Sequence, residues 1–110
     1  MTKPEDLPYA IKERQLIAET AGLRVQILTL EGDEEVPWHH HTEITDTFIC
    51  LEGPMIVQVK GQDGDHELKP GEIFEVPPYT GHRVASKNGG LCRFVVVQGI
   101  GEHDFIQPGD

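Results

Sequence analysis

The chain has 110 residues, the size of one domain, and carries 19 acidic against 9 basic side chains, for a net charge of −10. That balance excludes the basic stripe a nucleic-acid interface needs and disfavours an anionic membrane surface; its plain role is solubility. No apolar run reaches the ~20 residues of a membrane span.

Residues 1–13 read as an arm, with a short helical turn at 9–13. The arm lacks the apolar stretch of a secretory signal, which points to the cytoplasm, where Cys50 and Cys92 stay as thiols. Strand patterns follow at 15–19 and 23–30, with Gly22 between them. Residues 31–35 form a polar loop, and 36–41 form a strand that ends in histidines. Residues 45–51 alternate, with Asp46, Phe48 and Cys50 on one face. A turn at 52–54 leads to a strand at 55–60, and GQDGD at 61–65 closes a hairpin. Pro70-Gly71 turns the chain into strands at 73–76, 82–86 and 91–98. About nine short strands in one small chain must stack or close on themselves to protect their edges, as a sandwich, a jelly roll or a barrel.

The run Pro37-Trp38-His39-His40-His41-Thr42-Glu43-Ile44-Thr45-Asp46 carries the chemistry. Successive side chains of a strand point to opposite faces, so His39 and His41 share one face and His40 takes the other. Two imidazoles with a carboxylate returning on the next strand make most of a metal shell, and His82 supplies a third imidazole from a second loop. A narrow barrel or jelly roll with one wet end lets these residues converge.

The order Gly32, His39-x-His41, Asp46, Gly53 resembles the first motif of the cupins, G-x5-H-x-H-x3–4-E-x6-G. The segment from Gly71 through Pro77 to His82 resembles the second, G-x5-P-x-G-x2-H-x3-N. The first spacer is one residue longer than the pattern. Asp46 replaces the usual glutamate, Tyr79 the internal glycine, and Ser86 the asparagine. The resemblance covers about residues 30–98. It implies an all-β fold, the cupin-type double-stranded β-helix or jelly-roll barrel, as a single domain over 1–110. It also implies one divalent transition metal, Fe, Mn, Ni, Zn or Cu, held by His39, His41, Asp46 and His82. Without direct ligation by Asp46 the shell is three histidines.

Other residues carry plainer expectations. His40 and Trp38 share the outward face, with packing the simplest role; a partner subunit for His40 and a substrate platform for Trp38 are the alternatives. Tyr79 either packs its loop or offers its phenol to a ligand. Glu43 is a solvent-exposed turn carboxylate, His66 and His103 are surface residues, and Arg83 points outward. Arg93 awaits the register of its strand. Cupins span many activities, so the fold does not name the reaction. The expected function is a metal-dependent, dioxygenase-like or isomerase-like enzyme acting on a small polar metabolite, with no catalytic residue assigned beyond the metal shell. The alternative is a non-catalytic small-molecule or carbohydrate-binding sensor module. A homodimer is the expected assembly.

Overall fold

The computed structural model describes residues 7–109. Nine strands fill it: β1 Glu13–Thr20, β2 Leu23–Glu31, β3 Glu35–His39, β4 Thr45–Glu52, β5 Met55–Val59, β6 His66–Leu68, β7 Ile73–Val76, β8 His82–Ser86 and β9 Leu91–Gly99. They pair antiparallel into a five-stranded sheet, β1-β2-β9-β4-β7, and a four-stranded sheet, β3-β8-β5-β6. The two sheets face each other as a double-stranded β-helix. No helix among the described residues is long and apolar enough to cross a membrane.

Period-two alternation explains which side chains fill the interior. Leu28 and Leu30 of β2, Phe48 and Cys50 of β4, Met55, Val57 and Val59 of β5, and Cys92, Phe94 and Val96 of β9 are all buried in one core. Phe48 and Phe94 meet edge to face with centroids 5.8 Å apart. Each such ring contributes on the order of 2–3 kcal/mol by leaving water.

Two expectations are corrected. Residues 9–12 form no helical turn, and Glu13 already belongs to β1. The Tyr9 ring instead packs toward Phe105, so tertiary contact overrides a weak local preference. The rest of the expected arm, residues 1–6, lies outside the described residues. The strand expected at 36–41 ends at His39, because His40 pairs its backbone with Ile106 from the returning C-terminal segment. The short strand β6 lacks a legible pattern of its own and exists through its pairing with β5.

Candidate metal centre

Four side chains converge at one end of the space between the sheets. His39 closes β3, His41 follows it, Asp46 sits near the start of β4, and His82 opens β8. His39 and His82 stand opposite each other in the β3–β8 ladder. A register shift between Val36 and His39 lets both face inward, although strict alternation over three residues would separate them. All four residues are buried.

Each histidine is oriented in the same way. His39 Nδ1 donates to the Pro37 carbonyl at 2.7 Å, His41 Nδ1 to the Asp104 carbonyl at 2.5 Å, and His82 Nδ1 to the Thr80 carbonyl at 2.8 Å. A carbonyl can only accept, so each Nδ1 carries a proton and each Nε2 turns inward, as a lone pair when the ring is neutral and as a donor to Asp46 when it is charged. Asp46 Oδ2 lies 2.9 Å from His41 Nε2, 2.8 Å from His82 Nε2 and 3.7 Å from His39 Nε2. His39 Nε2 and His41 Nε2 are 3.2 Å apart. Four buried acceptors gathered this closely need positive charge among them, as protons or as a cation. One ligand atom from each residue lies within 4.8 Å of all the others, so the group could hold a metal ion.

The electrostatics follow from the same crowding. Burial works against a charged Asp46, but the His41 charge and the three imidazoles around it outweigh that cost and hold the carboxyl well below the carboxylate range. Burial also lowers His41, yet the Asp46 and Asp104 carboxylates and the Asp104 carbonyl reverse the balance, and His41 titrates above an ordinary histidine. For His39 burial prevails over the pull of the nearby Asp46 carboxylate, and its value falls.

Several neighbours were not singled out from the sequence. Gln98 Nε2 donates to Asp46 Oδ1 at 3.0 Å, Gln26 Nε2 to Gln98 Oε1 at 3.3 Å, and Arg14 Nη1 to Gln26 Oε1 at 3.1 Å. This one-way chain of donors leaves Asp46 Oδ2 for the histidines. Its readable signal was two glutamines on the inward face of otherwise apolar strands. Asp104 accepts from the Thr42 N–H and hydroxyl, and Phe105 stacks on His39 with centroids 4.2 Å apart. Tyr9 and Phe105 help enclose a cavity of about 30 Å³ beside His39, His41 and Asp46, close to the share of one liquid water.

The remaining expected residues fall into place. Glu43 is exposed, and its carboxylate accepts the Glu102 N–H. Arg83 points outward and pairs with Glu35 at 2.6 Å. Arg93 alternates with the buried Cys92 and Phe94, which turns it away from the interior. Both cysteines are free and buried, and burial pushes the Cys92 thiol up to about 12, so it is inert as a nucleophile. His66 is half-buried against Phe74. His103, expected at the surface, is buried: the C-terminal segment folds back over the barrel mouth and its Nε2 donates to the Gln98 carbonyl.

Comparison with known proteins now bears on this geometry. Residues 26–98 match the cupin domain model. The chain belongs to the cupin family. Over 82 residues this cupin is 38% identical to quercetin 2,3-dioxygenase of Bacillus subtilis (strain 168), a match covering 73% of the chain and 23% of that protein. The chain thus spans about a quarter of that relative's length. A conserved protein with a double-stranded β-helix domain from Klebsiella pneumoniae superposes with a TM-score of 0.72 at 24% identity, covering 84% of this cupin and 80% of that chain. KdgF from Halomonas superposes with a TM-score of 0.70 at 16% identity, covering 91% and 94%. At these identities the structural likenesses speak for the fold.

Proposed function

We propose that this cupin holds one divalent transition metal through His39, His41, Asp46 and His82 and uses it to transform a small polar metabolite. The observation that carries the reading is the shared orientation of the three imidazoles. Each Nδ1–H is committed to a backbone carbonyl, so three Nε2 atoms and one carboxylate oxygen meet in a buried site. The imidazole-rich donor set suits Fe, Mn, Ni, Zn or Cu. A metal bound there supplies a Lewis acid with positions open to an oxygen-donor substrate. Gln98 holds Asp46 in place, Asp104 orients His41, and Phe105 shields His39 from water. The likeness to a quercetin dioxygenase favours oxidative chemistry over isomerisation.

The test is metal analysis of protein purified without chelator, on wild type and on His39→Ala, His41→Ala, His82→Ala and His40→Ala. The first three variants lose most of their metal and His40→Ala keeps it. Full occupancy in His82→Ala, or equal loss in His40→Ala, overturns the assignment. A metabolite screen on the metal-loaded form then separates the enzyme from a non-catalytic sensor. The sensor reading draws on the small volume of the cavity beside the ligands, about 30 Å³.

The same proposal includes a homodimer in the cytoplasm. The outer face of the five-stranded sheet carries an apolar row, Ile27–Val95–Ile49–Ile73, beside a second, Ala18–Val25–Val97–Thr47–Glu75, that is apolar over its first three members. The outer face of the four-stranded sheet is polar and cross-linked through Glu35, Arg83, Gln58 and Asp65. A flat, uncharged sheet centre suits a second copy related by a two-fold axis, with the acidic surfaces turned apart. Light scattering gives twice the chain mass for wild type and a monomer for Val95→Lys. A wild-type monomer at micromolar concentration rules the dimer out.

A further inference from the structure

The side of β3 turned away from the histidine cluster has its own chemistry. Trp38, His40, Lys60 and Tyr79 line a groove of about 260 Å³, closed on one side by Ile106 and Gln107. The metal reading does not use these side chains. Two of them are built in an unusual way.

Tyr79 sits at φ 60, in the left-handed region that glycine occupies freely and a tyrosine only at a cost. Its backbone is pinned there by a hydrogen bond from its N–H to the His41 carbonyl at 2.7 Å. The strained backbone holds up a ring that is 75% exposed, and its phenol makes no hydrogen bond among the described residues. Strain held at an exposed aromatic is a signature of a binding position.

The His40 ring faces Tyr79, 27° from parallel and with centroids 6.3 Å apart. An aromatic ring inserted between two others needs about 7 Å, two contacts of ~3.5 Å. A small rotation of the exposed Tyr79 side chain therefore opens a slot. The opposite wall is rigid, because His40 exchanges both backbone hydrogen bonds with Ile106, at 2.9 and 3.0 Å. The Lys60 stem lies over Gly81: a Cβ built on that glycine would stand 3.5 Å from Lys60 Cβ and 3.6 Å from its Cδ. Lys12, Arg24, Arg83 and Lys87 each pair with a carboxylate. Lys60 has no such partner among the described residues. In a chain with 19 acidic residues, no carboxylate appears among the described residues lining the groove.

We propose that this groove binds a planar aromatic anion, a ring bearing a carboxylate or phenolate. The ring inserts between Tyr79 and His40 against Trp38, and the anionic group meets the Lys60 ammonium. Stacking and cation pairing in one groove select for planarity and charge together. His39 also borders the groove, but its Nδ1 is committed to the Pro37 carbonyl and its Nε2 lies against His41 Nε2, so the inference does not rest on the metal reading.

The chain has one tryptophan, Trp38, so intrinsic fluorescence reports on the groove directly. The probes are benzoate, cyclohexanecarboxylate, which has charge without a planar ring, and benzyl alcohol, which has the ring without charge. Benzoate produces a saturable change in Trp38 emission and binds at least tenfold tighter than either control. Tyr79→Gly weakens benzoate at least tenfold while its melting temperature equals or exceeds wild type, because glycine suits φ 60. Lys60→Met weakens benzoate about tenfold and leaves benzyl alcohol unchanged, which keeps the proposal testable if Tyr79→Gly folds poorly. Chelator-treated and metal-loaded protein give the same affinities. No saturable change in Trp38 emission, equal affinity for benzoate and cyclohexanecarboxylate, or undiminished binding in Tyr79→Gly overturns the proposal. So does binding that appears only with metal, which would move the ligand to the histidine chamber. Metal content, measured separately on the same samples, keeps this outcome distinct from failure of the metal reading.

Discussion

The two ends of the interior lie between the same two sheets and are equally dry, yet they differ in chemistry. Along β2 the inward series runs Leu30, Leu28, Gln26, Arg24; along β9, Cys92, Phe94, Val96, Gln98; along β4, Cys50, Phe48, Asp46. Each series runs from apolar to polar: β9 and β4 change at one level, Gln98 opposite Asp46, and β2 one step earlier at Gln26, opposite Val96; His39, His41 and His82 arrive at this polar end. Alternation decides which side chains enter, and distance along the strand decides what they meet there. The apolar end stabilises the fold by excluding water. The polar end uses the same exclusion to strengthen charge interactions, and so depends on every donor having an acceptor.

The largest effect that separates the two ends comes from Phe94→Ala in the apolar end, where its neighbours across the sheet are Leu28 and Cys50. It removes a fully buried ring and lowers unfolding stability by about 3–5 kcal/mol, read by denaturant titration. Metal affinity, measured per folded molecule, stays within a few-fold of wild type. A large affinity loss would show that the apolar end also positions the ligands.

Asp46→Asn comes next. It removes the charge while keeping the shape, and metal titration by calorimetry shows affinity weakened about tenfold, less than for any of the three histidines. Asp46→Glu keeps the site at a packing cost of about 1–3 kcal/mol. Wild-type affinity in the Asn variant would place Asp46 outside the shell and leave three histidines.

The pH response is smaller and has a definite sign. In metal-free protein the raised His41 value contributes stability that is full below its unfolded value of ~6.5 and is lost as pH climbs through the folded value. The depressed Asp46 value contributes stability present above ~3.9 that is lost as pH falls through the folded value. The lowered His39 value opposes His41, favouring the fold above ~6.5. A ligated metal needs His41 neutral and displaces its proton. The metal-induced rise in melting temperature is therefore greater at pH 8 than at pH 5.5. A gain independent of pH would take the metal off these histidines.

The smallest effect belongs to the apolar end. Ser86 is buried and its hydroxyl has no partner among the described residues. Ser86→Ala is neutral or stabilises by up to about 1 kcal/mol in thermal melts. Destabilisation beyond that would reveal a partner for the hydroxyl, and with it a polar requirement at the apolar end.

The sequence by itself determined the alternation, the turns and the order of the two motifs. These are local properties, set by the two-residue period of a strand and by the backbone needs of glycine and proline, and they were enough to name His39, His41, Asp46 and His82 as one group. It could not show that His103 is buried, that residues 9–12 run without a helical turn, or that β3 stops one residue before His40. Each of these follows from the C-terminal segment returning over the barrel mouth, where Ile106 pairs with His40 and Phe105 covers His39. The tertiary structure alone decided that Gln26, Gln98 and Asp104 support the site, and that Tyr79 and Lys60 share a groove with Trp38. Contacts across 60 or more residues leave no periodic trace, because the partners are chosen by sheet order and chain reversal and not by spacing along the chain.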